Sequence, residues 1–168
     1  MIVVTGGTGL VGSHMLLQLS KKELHIRALK RSSSDMKAFN YLFSSNDVSS
    51  KNIEWVDGDI TDIESVEECL QNAKQVYHCA AMISFTPHEA KKMLHINIEG
   101  TANIVNTCLK LNVQKLCYAS SVAALGRNTT DHLIDEETHW QSSLDNSNYA
   151  ISKYGAEREV WRGIAEGL

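Results

Sequence analysis

The sequence is poor in the features that mark secreted, membrane-spanning or fibrous proteins. Its 168 residues include a single proline and four cysteines, which lie far apart without a C-x-x-C pair. Scattered cysteines in apolar stretches are typical of buried thiols in a reducing compartment rather than of a disulfide framework. No apolar run approaches the roughly 20 residues of a membrane-spanning helix, and no signal peptide is evident. We therefore expect a cytoplasmic protein without a membrane partner.

The charge balance and the histidine spacing exclude further classes. Lysine and arginine together number 16 against 20 aspartates and glutamates, for a formal net charge of −4. Such a balance gives no basic footprint for nucleic acid. No two of the seven histidines have the i, i+4 zinc spacing beside a glutamate,. We expect neither a metal site nor a nucleic-acid partner.

Short apolar runs alternate along the chain with amphipathic stretches. We predict strands at residues 2–5, 25–29, 53–56, 75–79 and 115–119, and helices at 10–21, 35–43, 62–70, 89–111 and 148–166. This alternation predicts an α/β fold with a doubly wound, Rossmann-like parallel sheet, and right-handed crossovers favour the strand order 3-2-1-4-5. Residues 1–168 would form one dinucleotide-binding domain. Since such a sheet normally continues after a final helix, we expect the N-terminal part of a larger protein.

A glycine-rich turn joins the first strand to the first helix. It fits G-x-G-x-x-G through Gly7, Gly9 and Gly12, and T-G-x-x-G-x-x-G through Gly6, Gly9 and Gly12. Glycines let the backbone approach a pyrophosphate closely, and the helix that follows presents free N–H groups. The residues predicted to bind a dinucleotide here are Gly6, Gly7, Thr8, Gly9, Leu10, Val11 and Gly12.

The second strand ends in two basic residues, Lys30 and Arg31. A site for NAD usually carries an acidic residue here to bind the adenosine ribose, whereas a guanidinium favours the 2′-phosphate of NADP. We therefore predict NADP, with NAD less favoured; a solvated basic turn is the alternative interpretation.

The third strand is followed by Asp59 and Ile60. A carboxylate at the carboxyl end of a strand could accept a hydrogen bond from the adenine amino group while Ile60 packs on the ring. Asp59 could equally cap the next helix, and the sequence leaves these two roles open.

Tyr149 and Lys153 have the i, i+4 spacing that places both on one helix face,. A lysine ammonium beside a phenol favours the phenolate, so Tyr149 could exchange a proton with a substrate oxygen. Ser120 and Ser121 end the fifth strand, where open α/β sheets bind ligands.

These motifs, in this order, resemble the extended short-chain dehydrogenases/reductases of the epimerase/dehydratase superfamily. The closest resemblance is to dihydroflavonol reductase-like and 3β-hydroxysteroid dehydrogenase-like proteins. The motifs that carry it are the glycine turn, Gly58-Asp59, His78-Cys79-Ala80-Ala81, Asn97-Ile98-Glu99-Gly100-Thr101, Ser120-Ser121 and the Tyr-x-x-x-Lys pair.

The resemblance assigns roles to individual residues. It implies that Ser121 polarises the reacting oxygen and that Tyr149 is the catalytic acid or base. Lys153 would lower the tyrosine pKa and hold the nicotinamide ribose. Ala80, Ala81, Asn97 and Tyr149 would contact the cofactor, and Asn97 would also order the long helix around a water. The resemblance also implies a homodimer through the long helix and the tyrosine-bearing helix. The long helix has a second apolar face, and the alternative is that a further segment of the protein covers this face.

The predicted function is an NADP-dependent oxidoreductase acting on a small carbonyl or alcohol substrate. An NAD-dependent sugar-nucleotide epimerase and a non-catalytic dinucleotide-sensing protein are the alternatives. Val122-Ala123 stands where dehydratases of the family carry an acidic pair, which argues against dehydration. Residues 82–86 and the polar loop 127–147 are predicted to border the substrate pocket.

Overall fold

A five-stranded sheet forms the centre of the molecule. The computed structural model describes residues 1–126 and 134–168. The strands are β1 (Ile2–Thr5), β2 (Ile26–Lys30), β3 (Ile53–Asp57), β4 (Gln75–His78) and β5 (Lys115–Tyr118). All neighbouring pairs are parallel and the order is β3-β2-β1-β4-β5. The predicted strand order is therefore confirmed.

Six α-helices connect and cover these strands. They are α1 (Leu10–Ser20), α2 (Lys37–Ser45), α3 (Ile63–Leu70), α4 (Ala90–Leu94), α5 (Gly100–Lys110) and α6 (Asn148–Ala165). Side-chain caps fix two of the helix starts: Asp62 accepts from the Glu64 N–H before α3, and Ser147 accepts from the Ala150 N–H before α6,. Within the described residues, no helix has the length and apolar character to cross a membrane.

Both faces of the sheet are buried against helices. Adjacent strand residues point to opposite faces, so Val3 packs with Ile104 of α5 and Val66 of α3 in one cluster. Its neighbour Val4 packs with Leu16 of α1 in the second. The two-sided burial explains why β1, the central strand, is a nearly continuous apolar run,. It leaves the strand ends as the accessible edge.

The single helix predicted over residues 89–111 is wrong in detail. A 3₁₀ turn (Pro87–Glu89) precedes α4, and a π-helical turn (His95–Glu99) separates α4 from α5. Asn97 lies at the centre of the π turn, where its side-chain oxygen accepts from the Met82 N–H at 2.7 Å. Its backbone carbonyl accepts from the Thr101 hydroxyl at 2.6 Å. These contacts stabilise the widened turn.

Helix α6 covers the second apolar side of this helical segment. It packs against α4, α5 and the π turn. The approach is close, because a Cβ on Gly155 would lie 2.6 Å from Cδ1 of Ile98 and one on Gly163 would lie 2.5 Å from Cγ1 of Val105. Part of the surface that suggested a dimer is therefore covered within the chain itself, and the homodimer stays a prediction.

Candidate functional site

A cleft of about 510 Å³ opens at the carboxyl ends of the strands, and we call it the strand-end cleft. The sequence-predicted residues on its wall are Gly6, Thr8, Gly9, Lys30, Arg31, Asp59, Ile60, Ala80 and Ala81. The other lining residues are Leu29, Ser34, Gly58, Cys79, Met82, Lys92 and Ile96. The fold thus brings the ends of β1, β2, β3 and β4 to one opening, which is where doubly wound sheets bind ligands.

The glycine turn presents backbone rather than side chains to the strand-end cleft. Gly6 has a φ of +70°, and a Cβ there would lie only 2.6 Å from the Ala80 nitrogen. Gly9 precedes α1 without a side-chain cap. The amides of residues 10–12 have no hydrogen-bond partner in the described part of the chain. Free amides at a helix start, beside a glycine-rich turn, fit an anionic group.

Four predicted members of this motif do not line the strand-end cleft. Gly7 is buried, and a Cβ there would lie 2.6 Å from Cδ1 of Leu16. Gly12 lies beneath the Gly6 carbonyl. These two glycines shape the turn through close packing. Leu10 and Val11 are exposed on the first turn of α1, at 78% and 56%.

The two basic residues at the end of β2 differ in their partners. Lys30 forms an ion pair with Asp57 at the end of β3. Arg31 is exposed, lines the strand-end cleft and has no ion pair with any described residue. Its backbone N–H donates to the Ser34 hydroxyl at 3.1 Å, which fixes the turn. Arg31, and not Lys30, is therefore the cation available to a ligand at this point.

Asp59 does not cap α3, because Asp62 holds that position. Its Oδ1 accepts from both the N–H and the hydroxyl of Thr61, each at 2.9 Å. The turn keeps the carboxylate on the wall of the strand-end cleft beside Ile60. The structure is compatible with the adenine role that the sequence left open.

A buried hydrogen-bond chain supports the wall formed after β4. The Ala80 N–H donates to the Thr5 hydroxyl at 3.3 Å, and that hydroxyl lies 2.7 Å from Nδ1 of His78. Nε2 of His78 lies 3.0 Å from the Thr101 hydroxyl, which itself donates to the Asn97 carbonyl.

The donors in this chain follow from one another. Since the Thr101 hydroxyl proton is used at Asn97, Nε2 of His78 must donate to Thr101,. The Thr5 hydroxyl accepts from the Ala80 N–H and has no other acceptor among the described residues, so it donates its own proton to Nδ1,. The imidazole is therefore neutral. Burial, and secondarily the charge of Lys153, lowers the pKa of His78 to about 3.

Asn97 acts on the strand-end cleft through Met82. It is only 1% exposed, and its amide accepts from the Met82 N–H and donates to the Met82 carbonyl at 2.9 Å. The same amide nitrogen donates to the Ser152 hydroxyl on α6. The Asn97 side chain, to which the resemblance assigned a water and the cofactor, is thus hydrogen-bonded to Met82 and Ser152. Its visible role is to join a lining residue to the helix of Tyr149.

Lys153 is held at the end of β5. It is 2% exposed, its Nζ donates to the Ala119 carbonyl at 2.7 Å, and it lies 4.2 Å above the Tyr118 ring. Burial lowers the pKa of Lys153 to about 8, while Glu157 and Cys79 act in the opposite direction. Within the described residues no hydrogen bond joins Lys153 to Tyr149, although the i, i+4 spacing on α6 is confirmed.

The two serines after β5 have different partners. The Ser120 hydroxyl donates to the Glu157 carboxylate at 2.6 Å, so its proton is engaged. Ser121 accepts from the Ala123 N–H at 3.2 Å and begins the 3₁₀ turn Val122–Leu125. Because Ser121 is an acceptor there, its proton stays available to a substrate oxygen, which supports the choice of Ser121.

Some of the predicted pocket border lies near Tyr149. Phe85 is 81% exposed, with its ring centroid 6.5 Å from that of Tyr149. Trp140 instead stacks on Tyr154 of α6, with 4.3 Å between centroids. Residues 127–133 of the predicted loop lie outside the described residues.

Several lining residues were missed by the sequence analysis, and Lys92 and Ile96 carried a usable signal. They are four residues apart on the helical segment after β4, and both face the strand ends. Ser34 and Met82 line the cleft from irregular segments, where no periodicity reports their direction.

Residues 2–167 match the NAD dependent epimerase/dehydratase family. The chain belongs to this family. The resemblance to extended short-chain dehydrogenases/reductases is thereby confirmed.

Two known enzymes are similar to this chain over most of its length. It is 29% identical to the dihydroflavonol 4-reductase of Callistephus chinensis over 86% of this chain and 40% of that protein. It is 26% identical to the mouse (Mus musculus) 3 beta-hydroxysteroid dehydrogenase type 7 over 94% of this chain and 43% of that protein.

The solved UDP-glucose 4-epimerase of Thermus thermophilus, in complex with NAD, superposes with a TM-score of 0.80. It is 25% identical over 99% of this chain and 52% of that chain. The chain thus spans about half the length of the relatives it matches.

Proposed function

We propose that the chain is the dinucleotide-binding domain of an NADP-dependent oxidoreductase that acts on a small carbonyl or alcohol substrate. The observation that carries the proposal is the position of Tyr149 and Lys153. They share one face of α6, and Lys153 is held after β5 by the Ala119 carbonyl, two residues before Ser121. A phenol, an ammonium and a free hydroxyl at the strand ends can hold a carbonyl oxygen and exchange a proton with it.

The proposal gives each group one task. Ser121 donates a hydrogen bond to the substrate oxygen, and Tyr149 transfers a proton to or from the same oxygen. Lys153 supplies a positive charge that favours the phenolate of Tyr149. The bound nicotinamide supplies or accepts the hydride at the carbonyl carbon.

We propose NADP rather than NAD because of Arg31. The end of β2 offers no carboxylate to the strand-end cleft, and the Arg31 guanidinium there is not paired with any described residue. A free guanidinium binds a phosphate through charge-assisted hydrogen bonds. The aspartate at the end of the adjacent strand, Asp57, is engaged by Lys30.

An NAD-dependent sugar-nucleotide epimerase is the second candidate function. The similarity to the NAD-bound UDP-glucose 4-epimerase of Thermus thermophilus favours it. The exposed Phe85 near Tyr149 favours the reductase instead, because an apolar ring beside the reacting group suits an apolar carbonyl compound better than a sugar. A dinucleotide-sensing protein would need neither of the retained residues Tyr149 and Lys153.

The reductase proposal is tested by NADPH oxidation with a panel of small carbonyl compounds in the full-length protein. Tyr149→Phe removes one hydroxyl, and we expect the rate to fall at least about a hundredfold, which is the lower end of acid–base contributions. Tyr154→Phe is the matched control on the same helix, and we expect it to leave the rate unchanged. Equal turnover by wild type and Tyr149→Phe would contradict the proposal. Interconversion of sugar-nucleotide epimers without net NADPH oxidation would select the epimerase.

The cofactor preference is tested by titration with NADPH and NADH. Arg31→Gln should weaken NADPH binding about tenfold or more and leave NADH binding unchanged, since only NADPH carries the 2′-phosphate. Lys37→Gln removes an exposed cation that does not line the strand-end cleft and serves as the control. An equal loss for both dinucleotides would argue against this role of Arg31.

We further propose a cytoplasmic homodimer. The four cysteines are free, which suits a reducing compartment. Trp161 and Ile164 on α6 are 62% and 49% exposed and could form part of a seam between two copies. Light scattering of the full-length protein should give twice the chain mass, and Trp161→Glu should lower it to the mass of one chain. A wild-type protein with the mass of one chain would contradict the dimer.

A further inference from the structure

We infer that Lys92 is a second phosphate-binding residue of the strand-end cleft and that it contacts the pyrophosphate of the dinucleotide. The inference rests on the proposed function. Lys92 of α4 lines the strand-end cleft together with Ile96, one helical turn further along. Neither residue belongs to a motif that the sequence pattern singles out.

The position of Lys92 relative to Arg31 follows from the sheet order. The glycine turn follows β1, the central strand. Arg31 directly follows β2, which neighbours β1 on one side. Lys92 follows β4, which neighbours β1 on the other side. The two cations therefore flank the glycine turn from opposite sides, and a dinucleotide that crosses the turn would meet them with different groups.

The charges around the turn indicate which group Lys92 contacts. A pyrophosphate carries two negative charges, whereas the turn from residue 6 to 12 offers only backbone amides and neutral side chains. Lys30 is paired with Asp57, and Asp59 adds a carboxylate to the wall. Lys92 and Arg31 are the two cations on this wall that have no ion pair with a described residue. With Arg31 at the 2′-phosphate, Lys92 is the one left for the pyrophosphate.

The adjacent lysine provides a matched control. Lys91 and Lys92 are both exposed on α4, but only Lys92 lines the strand-end cleft. Their glutamine variants remove the same charge from the same helix, one residue apart, so they alter the net charge and the long-range field almost equally. A difference between them reports direct contact with the ligand.

The experiment measures dissociation constants for NADPH, NADH and adenosine 2′-monophosphate. NADH carries the pyrophosphate without the 2′-phosphate, whereas adenosine 2′-monophosphate carries the 2′-phosphate without the pyrophosphate. Lys92→Gln should weaken NADPH and NADH by about the same factor, roughly tenfold for one charge-assisted contact, and leave adenosine 2′-monophosphate unchanged. Lys91→Gln should match wild type for all three ligands. Arg31→Gln should weaken NADPH and adenosine 2′-monophosphate and leave NADH unchanged.

Each other outcome overturns a defined statement. If wild type binds the dinucleotides and Lys92→Gln equals Lys91→Gln, the inference is wrong and the proposed function stands. If Lys92→Gln weakens adenosine 2′-monophosphate, the assignment to the pyrophosphate is wrong. If the wild-type protein binds neither NADPH nor NADH, the proposed function fails and the inference fails with it.

Discussion

Replacing Gly12 by alanine has two opposing effects on stability, and the structure indicates which of them is larger. Gly12 lies in the first turn of α1, and alanine is favoured over glycine in a helix by about 1 kcal/mol. Helix propensity alone therefore predicts that Gly12→Ala stabilises the protein. The structure predicts the opposite, because a Cβ at this position would lie 2.2 Å from the Gly6 oxygen and 2.6 Å from the Gly6 carbonyl carbon.

The obstructing atoms are backbone atoms of the glycine turn, which cannot rotate away as a side chain would. Relief requires α1 and the turn to move apart, and overpacking of this kind costs about 1–3 kcal/mol or more. Against immobile backbone atoms we expect a clash at the upper end of that range, about 2–3 kcal/mol, and helix propensity offsets about 1 kcal/mol of it. The net loss is then about 1–2 kcal/mol, and the Tm should fall by roughly 2–8 °C. Because the moved turn carries the amides that face the strand-end cleft, the affinity for NADPH should fall as well.

Urea unfolding followed by circular dichroism measures the first effect, and NADPH titration measures the second. Gly9→Ala is the control: Gly9 has φ −86°, and its Cβ would meet only the Gly6 oxygen, at 3.4 Å. Because Gly9 is the N-cap of α1, where alanine is less favourable than glycine, this variant should lose only about 0.5–1 kcal/mol,. A Gly12→Ala protein as stable as wild type, with unchanged NADPH affinity, would refute the reasoning.

Two further predictions concern buried titratable groups. The pKa of Lys153 falls from 10.5 to about 8 on folding, so the unfolded chain binds more protons between these values and stability rises with pH there. Lys153→Met removes this pH-dependent gain, which amounts to about 3 kcal/mol. The stability of the variant relative to wild type should therefore decline between pH 8 and 10.5. A stability difference between the two proteins that stays constant with pH in urea unfolding would contradict this. His78→Phe leaves the buried Thr5 hydroxyl without its acceptor, a cost of about 1–3 kcal/mol at pH 7. The pKa of His78 is 6.5 in the unfolded chain and about 3 in the folded protein, so the unfolded chain binds more protons between these values. The free energy of unfolding of the wild type therefore decreases as the pH is lowered from 6.5 toward 3. The variant lacks this decrease, so the difference in unfolding free energy between the two proteins should narrow toward pH 3. A gap that stays constant in acid unfolding would argue against a neutral buried imidazole.

The parts of the fold that depend on local sequence were predictable. The strand order followed from the alternation of strands and helices, and the glycine turn followed from residue spacing. The π turn at Asn97 was not predictable, because its partners Met82 and Ser152 lie 15 and 55 residues away. An apolar periodicity reports which face is buried, and it does not distinguish a widened turn from a regular one.

The same limit applies to the candidate site. Spacing placed Tyr149 and Lys153 on one face of a helix, but the hydrogen bond of Lys153 goes to Ala119, 34 residues away. The basic pair at the end of β2 was visible in the sequence, whereas the engagement of Lys30 by Asp57 required the pairing of β2 with β3. Contacts between distant segments therefore decide which charged groups are free to bind a ligand.

In the proposed complex, the strand-end cleft binds a dinucleotide at the glycine turn, and Arg31 binds its 2′-phosphate. Isothermal titration of the wild-type full-length protein with NADPH and with NADH tests it most directly. We predict saturable binding of both at one site per chain, with NADPH tighter by roughly tenfold, the equivalent of about 1.4 kcal/mol. Binding of neither dinucleotide, or NADH binding as tightly as NADPH, would contradict the account.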